Sequence, residues 1–174
     1  KIIRKITLFI MFFKNKKNIE LYNTLLFLSR NIHLYKNLSL KDTFETRVYL
    51  MFVHFSIMLI IFKQKKIKFE QKHYDHFFEC IENNLRELGF GDVAVNKKMK
   101  ELNKIFYDIL LKIQKPAASF IVNNDLILKY FTNFQSFNDQ KFKLFINYLK
   151  NFHHFCFELH PQTMIKDAIK FEVN

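Results

Sequence analysis

Four side chains in one short stretch have the types that hold metals or move protons: His73, His76, Glu79 and Cys80. Their spacing puts His76 on one helical face with Glu79 or Cys80, half of a carboxylate–histidine metal site. A di-metal bundle needs a matching Glu-x-x-His unit on another helix, and the chain has none. No metal is therefore expected, and the four read as polar neighbours of a core stripe. His153 and His154 are adjacent, so on a helix they point about 100° apart and do not share an ion in the i, i+4 manner; one is expected packed, the other solvated. His54, inside the most apolar stretch, reads as a core histidine hydrogen-bonded to one neighbour, with a pH switch as the alternative. No nucleophile elbow, phosphate loop, dinucleotide fingerprint or zinc-protease pair occurs. The chain is thus not expected to be an enzyme, and no catalytic residue or cofactor is assigned.

Charge offers the other chemistry. Lys97, Lys98, Lys100 and Lys104 form a basic side of one helix, able to meet RNA or lipid headgroups or simply to be solvated. The formal charge of +12 (28 basic, 16 acidic residues) draws the protein toward nucleic acid, ribosomes or an anionic membrane surface. Arginine, the residue suited to bidentate phosphate or base recognition, occurs only as Arg4, Arg30, Arg47 and Arg86. The balance favours diffuse attraction, and no sequence-specific nucleic-acid partner is expected. Cys80 and Cys156 form no metal or disulfide pattern, which fits a reducing cytoplasm.

These residues need elements to carry them, and the 174-residue chain, 49% hydrophobic, is large enough for one core. Its 23 phenylalanines, no tryptophan and two glycines suggest drift in an AT-rich genome. Residues 1–17, opening at Lys1 and holding an apolar run too short to span a bilayer, read as a peripheral or non-native extension, with Met11 as an alternative start. Leu21, Leu25, Leu28 and Ile32 predict a first helix from about Ile19 to Tyr35. Asp42 as N-cap, with Glu45 at capping-box distance, starts a second that runs to Phe62. This one is apolar on nearly every side and reads as a central core helix, since the residues between Arg47 and Lys63 fall short of the roughly 18 to 20 needed to span. After a basic link, Lys63 to Lys68, a third helix carries a stripe of Tyr74, Phe77, Phe78, Ile81, Leu85 and Leu88. Gly89 should end it in left-handed conformation, and Asp92 or Asn96 should cap a fourth that stops before Pro116. Two more are predicted from Asp125 to about Phe134 and from Asn138 or Asp139 to about Leu159, with residues 161–174 as a frayed or extended tail. The expected fold is all-α: a single compact domain over 18–160 of about six helices, with a Gly-x-Gly-Asp corner at Gly89 to Asp92.

That corner carries a likeness. Leu85-Arg86-Glu87-Leu88-Gly89-Phe90-Gly91-Asp92, followed by Val95, Lys97-Lys98-Met99-Lys100 and Phe106-Tyr107, resembles the core motif of the ubiquinol-cytochrome c chaperone family. Upstream, Tyr35 and Asp42-Thr43-Phe44-Glu45-Thr46-Arg47 are similar to an aromatic residue and a DTxDGR stretch of that family, with Thr46 in place of the glycine. The likeness runs from about Glu20 to Tyr107. It implies a non-enzymatic assembly factor for the ubiquinol-cytochrome c reductase complex that acts on newly made cytochrome b. In mitochondria such proteins work with a small partner at the ribosomal tunnel exit; the short chain looks more like the bacterial form. The localisation implied is cytoplasmic, peripheral to the inner membrane. Asp42, Arg47, Arg86, Glu87, Gly89, Gly91, Asp92, Lys97 and Lys98 are the expected motif or partner-binding residues, with Asp42 and Asp92 leaning structural as cap types. The rival reading is a basic helical module that binds RNA or the ribosome and has no respiratory role.

Overall fold

The computed structural model describes residues 20–117 and 119–173. The extension 1–17, Arg4 included, lies outside them. Among the described residues the fold is all-α, its one sheet-like feature an isolated antiparallel bridge between Gln114 and Val122. The helices are α1 (20–29), α2 (Ile32–Lys36), α3 (Phe44–Gln64), α4 (Gln71–Glu87), α5 (Asp92–Lys112), α6 (Asn124–Tyr130), α7 (Gln140–Glu158) and α8 (Met164–Asp167), the last continued by a 3₁₀ turn, Ala168–Lys170.

α3 is the axis. It has the length and hydropathy of a membrane span, yet Val48, Phe52, Phe55, Ile57 and Ile61 are buried by protein on different sides of it. α5 and α7 flank it, and α4 packs on α5. The abundant phenylalanines meet here: Phe52 stands 5.3 Å from Phe106, 5.8 Å from Phe78 and 6.2 Å from Phe77, largely edge-to-face. Such ring pairs add about 0.5–1.5 kcal/mol each beyond the area they bury.

Several local expectations are corrected. The first helix breaks at Arg30–Asn31 because short polar side chains offer the backbone other partners: Ser29 Oγ donates to Leu26 O at 2.8 Å, and the Asn31 side chain accepts from His33 N at 3.0 Å. Past the break the register shifts, so Ile32 is 63% exposed and Leu34 is buried in its place. Helix α6 stops at Tyr130, short of Phe134. Asp139, not Asn138, caps α7, accepting from Lys141 N at 2.8 Å. The segment from residue 161, expected to be frayed or extended, carries α8 and its 3₁₀ turn, with Met164, Ala168 and Phe171 buried against the core.

His54 lies at the centre, fully buried. Its Nδ1 is 2.7 Å from Leu50 O, and its Nε2 is 2.8 Å from the Tyr148 hydroxyl of α7. A carbonyl only accepts, so Nδ1 carries the proton and Nε2 accepts from Tyr148. This histidine has two partners, not the single one expected.

Candidate functional site

Two charged helix junctions lie side by side on the fold. At the first, Thr43 has an extended backbone (φ −115°) and its hydroxyl accepts from Thr46 N at 3.2 Å, so Thr43 is the N-cap of α3. Asp42, expected in that role, lies one residue too early. It pairs instead with Arg47 Nε at 3.1 Å, and Arg47 also donates to Thr43 O at 3.4 Å. Both side chains face solvent, so the pair contributes about 0–1 kcal/mol and mainly orients Arg47. Glu45 forms no capping box; it lies 3.6 Å from Lys98 of α5.

The second junction is the glycine corner. Gly89 has φ +90°, with Gly89 N donating to Arg86 O at 2.9 Å and Phe90 N to Leu85 O at 3.2 Å. These two bonds make a Schellman termination, which requires a left-handed residue where Gly89 stands. Gly91, at φ −72° and ψ 162°, is the N-cap of α5, without a side-chain cap bond. Asp92 therefore falls inside the first turn, where its charge suits the helix dipole. Neither it nor Asn96 is the cap. Arg86 binds Glu82 at 2.7 Å and also Asp92, tying the end of α4 to the start of α5.

A Cβ added at Gly89 would meet no atom, so the cost of Gly89→Ala is conformational alone. The left-handed backbone costs an alanine about 1–2 kcal/mol, partly offset by about 0.4–1 kcal/mol from a stiffer unfolded chain. Urea midpoints should show a net loss of roughly 0.5–1 kcal/mol. Gly91→Ser, at an ordinary φ with open space, should be neutral or stabilising by a few tenths of a kcal/mol. A neutral Gly89→Ala would contradict the termination role.

Between the junctions opens a cleft of about 600 Å³. Phe44, Val48 and Met51 of α3 and Ile81 of α4 form its apolar floor. Tyr22 and Leu26 of α1 make one wall, Asn84 of α4 and Leu88 just past its end the other, and Asn84 donates to the Tyr22 hydroxyl. Arg30, Arg47 and Glu87 carry the charge at the lining. Burial pushes the nearby Tyr35 phenol up to about 12; Asp42 adds to that while Arg47 and Arg30 oppose it, so three charges gather around one ring. Leu88, expected on the buried stripe, is 59% exposed because α4 ends beside it. This arrangement can hold an apolar segment by its floor and set the segment's polar flank by its charges.

Of the expected site residues, Arg47 and Glu87 line the cleft, Asp42 orients Arg47, and Arg86, Gly89, Gly91 and Asp92 build the adjoining corner. Lys97 is exposed on α5; Lys98 is held between Glu45 and Glu101, the latter at 3.7 Å. Neither lines the cleft. Arg30, Tyr22 and Leu26 were missed, although Arg30 had a signal: in a chain with four arginines, three come to this end of the fold. The other candidate chemistry is dispersed. His76 Nδ1 is 3.2 Å from Glu79 and its Nε2 is 3.5 Å from Cys80, while His73 sits 3.9 Å from Glu70. Burial pushes the Cys80 thiol up to about 11, which keeps it protonated. Among the described residues no three metal-ligand side chains are arranged to hold an ion. His153 stacks on Phe120 at 4.1 Å and His154 is exposed.

The profile described as ubiquinol-cytochrome C chaperone matches residues 36–127. That stretch holds both junctions and more than half of the chain. The chain belongs to the ubiquinol-cytochrome C chaperone family. No curated protein and no solved structure matches it. The matched region of this family member extends past Pro116 into α6, farther than the motifs alone reach, and it begins after α1, so Tyr22, Leu26 and Arg30 lie outside it. Membership supports a non-enzymatic, assembly-factor role connected with the ubiquinol-cytochrome c reductase complex.

Proposed function

We propose that the cleft between α1, α3 and α4 receives an apolar segment of newly synthesised cytochrome b and holds it until the reductase assembles. The observation that carries this reading is position: the cleft lies where the two motif-bearing segments, 42–47 and 85–92, meet. An apolar floor shelters a segment that would otherwise aggregate, and release needs no chemistry because such contacts are non-directional. Arg30 and Arg47 orient the polar end of the segment. The +12 charge favours a station where nascent chains emerge, at the ribosome and the anionic face of the inner membrane, on the cytoplasmic side.

A photo-crosslinking residue in place of Leu88 should capture cytochrome b in cells, whereas the same residue in place of Ile169, in the C-terminal turn and also exposed, should not. Equal capture at both positions would place the client elsewhere. Capture of ribosomal components alone would favour the RNA- or ribosome-binding module.

A further inference from the structure

α3 and α4 end in the same way with different residues. At the close of α3, Lys66 N donates to Lys63 O at 3.0 Å and Ile67 N to Phe62 O at 2.9 Å, again a Schellman termination. The left-handed position that Gly89 fills after α4 is filled here by Lys66, at φ +56°. A lysine in that conformation is strained relative to glycine. What the strained turn displays is a set of exposed lysines around an exposed isoleucine: Lys63, Lys66 and Lys68 surround Ile67, which is 40% exposed. None of these three lysines has an ion pair among the described residues. The acid of this turn, Glu70, already pairs with Lys72. Lys65 folds back instead, donating to Leu159 O at 2.9 Å and lying 4.9 Å from the Phe157 ring, so exposed Phe157 borders the same patch. Of the α5 lysines, Lys98 is already shared by two glutamates.

We infer that the α3–α4 turn, Lys63 to Lys68, docks the protein on an anionic lipid bilayer, with the lysines at the headgroups and Ile67 and Phe157 entering the interface. Interleaved lysines and apolar side chains fit a bilayer, which offers negative charge over a hydrocarbon layer. RNA would favour arginine, and none stands in this turn. The cleft floor begins at the other end of α3, so docking here leaves the cleft on the order of 20 Å from the headgroups at 1.5 Å per residue. The inference rests on the peripheral placement proposed above.

The test is co-sedimentation of the purified full chain with phosphatidylglycerol-containing vesicles and with pure phosphatidylcholine vesicles. Wild type should bind the anionic vesicles, and less so at high salt. Each lysine removed should weaken binding about fivefold, so Lys63→Gln/Lys66→Gln/Lys68→Gln should bind on the order of 100-fold more weakly. Lys66→Gly gives the sharper reading: it relieves the left-handed strain and should raise Tm, yet lower vesicle binding about fivefold. A triple variant that binds as wild type does, as it would if residues 1–19 made the attachment, overturns the assignment of the turn alone. A wild type that binds RNA but neither vesicle overturns both the turn and the peripheral placement. Reductase assembly is scored separately in cells, so the chaperone role stands or falls independently.

Discussion

Acidification from pH 7 to pH 4 should remove about 3 kcal/mol of folding stability through His54 alone, taking 1.36 kcal/mol per pH unit of displaced titration. Burial lowers this imidazole from its ordinary value to about 4, opposed by its bond to Leu50 O. The sign follows from which state takes the proton first. The unfolded chain protonates His54 near pH 6.5 and the native state only near pH 4, so the contribution is complete above 6.5 and is lost progressively down to 4. Urea unfolding at a series of pH values reads this directly, and His54→Leu should flatten that window. At neutral pH His54→Leu leaves the Tyr148 hydroxyl buried without a partner, and Tyr148→Phe leaves Nε2 so; each should cost about 1–3 kcal/mol. The double variant removes both polar groups and should cost clearly less than the sum. Additive losses, or a flat wild-type profile between pH 6.5 and 4, would mean that the His54–Tyr148 bond does not link α3 to α7 as described.

A single carboxylate on the cleft wall should have the largest functional effect. Leu88 is 59% exposed, so Leu88→Asp should cost no more than about 1 kcal/mol of folding stability, chiefly from a negative charge at the C-terminal end of α4. With an apolar client seated against α4, however, the same carboxylate would be removed from water beside Glu87. Burying an unpaired charge costs several kcal/mol, which corresponds to client binding weaker by on the order of 100-fold or more. A strain whose sole copy carries Leu88→Asp should therefore accumulate the folded chaperone at its normal level yet assemble little reductase. Wild-type assembly in that strain would move the client away from this wall.

The fold was legible where periodicity is long and unambiguous. The helices α4 and α5 follow from their apolar spacing, α3 from its start signal and its unbroken apolar run, α7 from its cap, and Gly89 from the need for positive φ in a chain with two glycines. Legibility ended where neighbours of equal propensity compete. Asp42 and Thr43 are both good caps, and the choice between them depends on which backbone turns extended. Asp92 is a better cap type than Gly91, yet the corner places Gly91 at the boundary. Ile32 continues the spacing of Leu21, Leu25 and Leu28, but Ser29 and Asn31 hydrogen-bond locally and end that register. The cleft was half legible: Arg47 and Glu87 come from recognisable motifs, whereas Tyr22, Leu26 and Arg30 reach it only through the packing of α1 on α4, which no local pattern encodes.

The assembly role itself is tested most directly by the reductase content of a strain lacking this protein. Native electrophoresis and haem spectra should show the assembled ubiquinol-cytochrome c reductase lost while cytochrome b transcript persists, and the wild-type chain should restore it. Normal reductase in that strain, with salt-sensitive RNA binding by the purified protein, would contradict the chaperone account and leave a basic helical RNA-binding module in its place.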